Sequence, residues 1–314
     1  MTLQNVTLTA RGGAKAEILV SLGFNCHQLR LVAQDQPVDI IWSAPNFAAG
    51  TERASRSGIP ILFPFPGRIP GTYFDWSGKR YHLEVGDQFG NAIHGFVHTR
   101  PWQILELEDS FVVAEFDSAE DEPALAEQWP GQFRITARYE LCSDALEMEY
   151  TIGNPGTTPL PFGLGLHPYF RLNFAGSPAD ACQVLLPVTQ EWELKDMLPT
   201  GERRLVVGAE AWRQLGREFR ELNLDNVFTG LEAENGSVRA TMRDPAMGRA
   251  LHIEFDETFR ELVVFTPPHR EAICIEPYTC VPGAVVYEPQ GWDAGLCVLP
   301  PGDKFVTRVA ISVE

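Results

Sequence analysis

Arg134-Ile-Thr-Ala-Arg-Tyr-Glu-Leu141, then Ser143-Asp144, then Leu146-Glu-Met-Glu-Tyr-Thr-Ile152 is the stretch that decides the fold class. In each arm every second residue is apolar: Ile135, Ala137, Tyr139 and Leu141, then Leu146, Met148, Tyr150 and Ile152. A period of two marks a strand with one buried face. The short polar link between the arms reads as a hairpin turn. The pair is therefore antiparallel, with one face on a core and one in water.

Working outward, the same signature recurs along the chain. Residues 16–22 and 26–32 read as paired strands across Gly23-Phe24-Asn25, and 38–42 continues a meander. Further strands are expected at 111–116, 160–166, 182–187, 237–242, 250–255, 261–266, 272–277 and 304–313. Helical periodicity is scarce. Only 122–128, ended by Trp129-Pro130-Gly131, and 210–215, weakened by Gly216, read as short helices. Many short strands with turns between them predict an all-β sandwich or barrel. Residues 44–70 carry Gly58, Pro60, Pro64, Pro66 and Gly67, so a shaped surface loop is expected there. No composition shift marks a linker, and one domain over 1–314 is expected.

Composition bounds the function. The 314 residues include 25 Lys and Arg against 42 Asp and Glu, a net charge of −17. Such a chain repels phosphate backbones and anionic lipid, so neither nucleic acid nor membrane is an expected partner. No apolar run is long enough to span a bilayer. The first ten residues lack the basic start and apolar centre of a signal peptide, so a cytoplasmic location is expected. The six cysteines form no Cys-x-x-Cys pair and read as reduced thiols.

Five segments carry candidate chemistry. Pro161-Phe-Gly-Leu-Gly-Leu-His167-Pro-Tyr-Phe170 ends an apolar run on a histidine that the following proline holds extended. Ile273-Cys-Ile-Glu276-Pro-Tyr278 repeats that layout with a carboxylate. A carboxyl at the end of a buried strand has a raised pKa, in range for a general base near neutral pH. Gly58-Ile-Pro-Ile-Leu-Phe-Pro-Phe-Pro-Gly-Arg68 presents one arginine on a stiff backbone, fit for hydroxyls or carboxylates if it is not spent in a surface ion pair. Asn91-Ala-Ile-His94-Gly-Phe-Val-His98 sets a histidine beside a glycine; His98 is expected in solvent. Leu222-Asn-Leu-Asp225-Asn-Val-Phe228 places an acid among apolar residues, as a turn cap or a hydroxyl acceptor. His94, His167 and Glu276 suit either a metal such as iron or an acid–base pair with a helper. The short His-x-Asp/Glu element usual for iron is missing from them.

Taken in order and at their spacing, Gly58-Ile-Pro-Ile-Leu-Phe-Pro with Arg68-Ile69, His94-Gly95-Phe96 with Arg100-Pro101-Trp102, Gly165-Leu-His-Pro-Tyr-Phe170, Asp225-Asn-Val-Phe228 and Glu276-Pro277 resemble the aldose 1-epimerase (galactose mutarotase) family. Leu299-Pro-Pro-Gly-Asp303 fits its closing hairpin, with Asp for the usual Glu. The resemblance implies a large antiparallel β-sandwich, a galactose mutarotase-like supersandwich, with a sugar cleft and no cofactor. It also implies Glu276 as base, His167 as acid on the ring oxygen, His94 near the anomeric centre, and Arg68 and Asp225 on hydroxyls. The small-molecule partner would be a sugar, and the protein a monomer or homodimer. Galactose-type members carry His-Gly-Gly and Asn-His-x-Tyr-Phe where this chain has His94-Gly-Phe and Leu166-His-Pro-Tyr-Phe, so galactose preference does not transfer. A branch acting on hexose 6-phosphates uses extra arginines at the cleft rim; Arg53, Arg56 and Arg100 are the candidates here. A sugar-binding protein without turnover is the reading from another class.

Overall fold

The computed structural model describes residues 4–314. Its deciding hairpin forms as the alternation dictates. Arg134–Leu141 and Ala145–Gly153 pair antiparallel, with Ile135 opposite Ile152 and Leu141 opposite Leu146. Their apolar side chains are buried. The polar tips of two of them, the Tyr139 and Tyr150 hydroxyls, meet each other at 3.1 Å rather than lying unpaired in the core.

This hairpin belongs to a ten-stranded antiparallel sheet. Lys304–Val313 runs through its middle, between Ala145–Gly153 and Arg249–Asp256. An eight-stranded antiparallel sheet faces it, built on Leu198–Leu205, Val188–Lys195, Asp225–Leu231, Glu261–Phe265, Ala272–Tyr278, Gly165–Leu166 and Ile61–Leu62, with Tyr169–Arg171 also on Ala272–Tyr278. A four-stranded N-terminal sheet runs in chain order through Asn5–Thr9, Lys15–Leu19, Asn25–Ala33 and Gln36–Asp39. One apolar cluster reaches from Val6 to Val313 and joins the facing sheets. The fold is mostly β, a sandwich of antiparallel sheets.

The two faces of the eight-stranded sheet have different fates. Phe228, Leu262, Val264, Ile273 and Ile275 enter the shared core. Their neighbours Val227, Val263 and Tyr278 point the other way, into a second cluster. Strand alternation therefore sets Cys274, Glu276 and Tyr278 on the face away from the core.

Several expectations are corrected. Residues 160–166 are not one strand. Leu160–Phe162 pairs with Cys297–Leu299, and Gly165–Leu166 joins the eight-stranded sheet. The change of sheet falls at Gly163, where a Cβ would overlap the Cys280 sulfur. The proline-rich segment is not a surface loop: Gly58 to Gly67 is buried, and Ile61–Leu62 is a strand of the sheet. Its apolar residues fill the core while its prolines stand where the ladder needs few donors. Residues 123–127 form a 3₁₀ helix rather than an α-helix. An α-helix does form at Ala209–Leu215. No helix among the described residues is long and apolar enough to cross a membrane.

Candidate active site

The face turned from the core opens into a cleft of about 700 Å³. Arg68, His94, His167, Asp225 and Glu276, drawn from five separate segments, all line it.

The register of one strand pair explains the central contact. Gly165 pairs with Tyr278 and Tyr169 with Cys274. The register is the same on both sides of the gap, so His167 falls opposite Glu276. Between them the ladder is interrupted, and there Pro168 and Pro277 sit, each without an N–H to donate. The His167 amide instead donates to the Pro60 carbonyl at 3.0 Å. The His167 Nδ1 and Glu276 Oε1 atoms are 3.4 Å apart, with both side chains buried.

That contact is not an ion pair at neutral pH. Burial pushes the His167 imidazole down to about 3 and so keeps it neutral. Burial likewise drives the Glu276 carboxyl well above its ordinary value; a hydrogen bond from Tyr278 and the charge of Arg68 oppose the rise, and Asp225 adds to it. The Tyr278 hydroxyl donates to Glu276 Oε2 at 2.7 Å. The His167 ring lies parallel to Tyr169, 4.9 Å between centroids, which fixes its plane.

His94 approaches His167 edge-on at 5.5 Å. Its backbone is left-handed (φ 69°), as is that of Gly95 (φ 66°), a strained arrangement for a histidine. It is held because His94 N donates to the Gly67 carbonyl and Phe96 N to the Phe63 carbonyl, both at 2.8 Å. Burial, then the neighbouring His167 and His98, hold His94 well below the usual imidazole value. The Nδ1 atoms of His94, His98 and His167 are buried with no partner.

Arg68 donates through Nε to Asp87 Oδ2 at 2.8 Å. Asp87 also accepts from the amides of Phe89 and Asn91, both at 2.9 Å. Burial works against the Asp87 charge, but the Asn91 amide and the guanidinium outweigh it, and the carboxyl lies below its usual range. The remaining N–H groups of Arg68 stay available at the cleft. Asp225 opens Asp225–Leu231 and is exposed to the cleft rather than enclosed by its apolar neighbours in sequence. Partial desolvation still raises its carboxyl, and Arg68 pulls it back.

Other readings change. His98 is buried, 8% exposed, not in solvent. Arg100 is held in an ion pair with Glu122 and does not line the cleft, whereas Arg53 and Arg56 do. His94 is not part of a metal-type cluster with the other two. Among the described residues that grouping is His167, Cys274 and Glu276, whose ligand atoms lie within 4.8 Å of one another. Sequence reasoning missed Asp87, Trp42, His269 and Tyr278 as parts of the site. Tyr278 was findable, two residues from Glu276 on one strand and hence on its face. Asp87 lies in an irregular segment that carries no such signal.

Fold and cleft together define a class: an antiparallel β-sandwich protein that presents a buried carboxyl–imidazole pair, an arginine and a second acid in an open cleft. Within it, a family model described as aldose 1-epimerase matches residues 4–312, and the chain belongs to that family. It is 24% identical over 266 residues to the uncharacterized protein YphB of Escherichia coli (strain K12), covering 81% of this chain and 82% of that protein. A galactose mutarotase-like protein from Clostridium acetobutylicum superposes with a TM-score of 0.85 at 23% identity, over 96% of this chain and 93% of that one. A galactose 1-epimerase from Lactobacillus acidophilus NCFM gives 0.73 at 18% identity, over 99% and 94%. These structures carry the fold, which is galactose mutarotase-like.

Proposed function

We propose that this protein is a cofactor-independent aldose 1-epimerase that interconverts the α and β anomers of a hexose. Glu276 first passes its proton across the contact to His167; the carboxylate so formed takes the proton of the anomeric hydroxyl while the imidazolium delivers one to the ring oxygen. The C1–O5 bond breaks, the open chain turns about C1–C2, and the ring closes on the other face with the two roles reversed. One proton enters the pair as one leaves, so the buried site gains no net charge at any stage. His94 binds near the anomeric oxygen, and Arg68 and Asp225 hold ring hydroxyls. The observation that carries this reading is the His167–Glu276 contact at 3.4 Å, in a setting that leaves the resting pair uncharged with one proton to share between carboxyl and imidazole.

The test is the rate of anomer interconversion. It is followed by polarimetry from pure α-glucose and α-galactose, and by NMR exchange with glucose 6-phosphate. Acceleration by the wild type and not by Glu276→Gln supports the assignment. Binding of sugar that survives Glu276→Gln, with no turnover in the wild type, would instead describe a sugar-binding protein.

A second reading, a hexose 6-phosphate as substrate, is favoured by one feature. Arg53 and Arg56 line the cleft, and Arg56 has no ion-pair partner among the described residues. Acceleration with the phosphorylated sugar alone would select it.

A further inference from the structure

We propose that the floor of the cleft binds one thiophilic divalent cation through His167 Nδ1, Cys274 Sγ and a carboxylate oxygen of Glu276, and that the bound ion switches the acid–base pair off. Only the second half rests on the epimerase reading.

Three features converge. Strand alternation puts Cys274 and Glu276 on one face of Ala272–Tyr278, and the register brings His167 opposite Glu276. The three ligand atoms consequently lie within 4.8 Å of one another, all on buried residues. The His167–Glu276 pair is 3.4 Å apart. In a tetrahedral zinc site with Zn–N and Zn–O near 2.0 Å, the N···O edge is about 3.3 Å. That edge is already formed, and the Cys274 sulfur, within 4.8 Å of both atoms, would move closer on binding to complete the set. Finally, His167 Nδ1 is buried, with no hydrogen-bond partner, and faces the carboxyl. A buried nitrogen left unpaired is costly, and a cation would satisfy it.

The charge balance favours the ion. Imidazole binds through a neutral nitrogen; the thiol and the carboxyl each release a proton to solvent. A divalent cation with one thiolate and one carboxylate then sums to zero, so the enclosed floor gains no net charge. The cleft leaves the fourth position to water. The ligand set of Cys, His and carboxylate suits Zn²⁺ and Co²⁺ over Mg²⁺ or Ca²⁺. Because two of the three ligands are the proposed base and acid, an occupied site cannot move protons to or from a sugar.

The experiment uses the full chain, dialysed against chelator, with Co²⁺ and Zn²⁺ as probes. Titration with Co²⁺ should give a thiolate-to-cobalt charge-transfer band that saturates at one ion per chain, and Zn²⁺ should displace it. Cys274→Ala should lose that band, and its Zn²⁺ affinity by calorimetry should fall at least tenfold. Cys142→Ala, which removes an exposed thiol elsewhere, should leave both unchanged. In the anomer assay, chelated wild type should be active, Zn²⁺ should abolish turnover and chelator restore it, while Cys274→Ala should be active and resistant. Absence of one-to-one binding, or a band that persists in Cys274→Ala, would overturn the site. A chelated enzyme that is inactive until Zn²⁺ is added would overturn the inhibitory role. If no sugar is turned over, the cobalt titration still decides the site on its own.

Discussion

His167 stands directly opposite Glu276 at a break between two antiparallel strands, with Nδ1 and Oε1 3.4 Å apart and a proline following each residue. The two side chains are thus held by backbone register rather than by a flexible loop. If they act as proposed, removing either proton-transfer group without changing its shape should cost about 10²-fold or more in kcat. Glu276→Gln and His167→Asn are the variants. Polarimetry on both, with circular dichroism to confirm folding, checks the expectation. Full activity in Glu276→Gln would remove Glu276 from the mechanism.

Tyr278 is expected to tune the proposed base. Its hydroxyl donates to Glu276 Oε2 at 2.7 Å and so favours the ionised carboxylate, against the burial that raises its pKa. Tyr278→Phe removes that donor and raises the pKa further. The basic limb of the kcat/KM profile, where the pair loses its one proton, should move to higher pH by about one to two units, since a hydrogen bond to a charged group contributes about 1.5–3 kcal/mol. A merely structural tyrosine would lower the rate at every pH and leave the limb in place.

Arg68 and Asp87 should behave as a unit. Asp87 fixes the guanidinium through Nε and is itself held by two backbone amides. Arg68→Ala should raise KM by about tenfold or more with a small change in kcat, the pattern of lost uniform binding. Asp87→Ala should raise KM in the same direction by less, because the arginine survives but loses its anchor. The double variant should cost less than the two effects combined. Additive losses would place Asp87 outside the arginine's function.

What the sequence disclosed, and what it did not, follows from the range of the forces involved. Alternation is local, so the 134–152 hairpin and the long strands near 237–256 and 304–313 were legible. His167-Pro and Glu276-Pro stood out for the same reason, because each ends an apolar run on a titratable group. Their pairing was not legible, since it depends on which strands neighbour each other in the sheet. His98 looked solvated because its neighbours are mixed, yet the core closes over it. The Val188–Lys195 and Leu198–Leu205 strands escaped notice because half-exposed or edge positions carry polar residues that blur the period. Asp87 reaches the site by an irregular path that no periodicity describes.

Gly95 tests the strain at His94. Its φ of 66° is left-handed, and a Cβ there would overlap the Phe63 carbonyl. Gly90 has a similar φ of 83° but nothing within 4 Å of a built Cβ. Gly90→Ala should therefore cost only the conformational penalty, about 1–2 kcal/mol. Gly95→Ala should cost about 3 kcal/mol or more and displace His94, lowering turnover as well. Denaturant unfolding of both variants checks the difference. Equal costs would mean that the close approach at Phe63 relaxes without consequence.

Glu261 gives the last prediction, on stability rather than chemistry. It lies on the same face as Glu276, one strand over, but under the cluster of Trp192, Tyr287 and Trp292 rather than in the cleft. Its Oε2 accepts from Trp192 Nε1 at 3.0 Å, and the residue is 2% exposed. Burial pushes its carboxyl up to about 7, with the bonds from Trp192 and Thr229 opposing. Between the ordinary carboxyl value and about 7, the folded state therefore holds a proton that the unfolded state has released. The stabilisation is full at and below the ordinary value, and it is lost as pH rises through about 7. Glutamine keeps an acceptor for Trp192 and has no proton to lose. Glu276 contributes with the same sign in both proteins, so the difference between them isolates Glu261. Relative to Glu261→Gln, the wild-type Tm should fall as pH rises from about 4.5 to about 7 and then level off, leaving the variant the more stable protein at the upper end. Parallel Tm curves across that range would mean that Glu261 ionises at its ordinary value despite its burial.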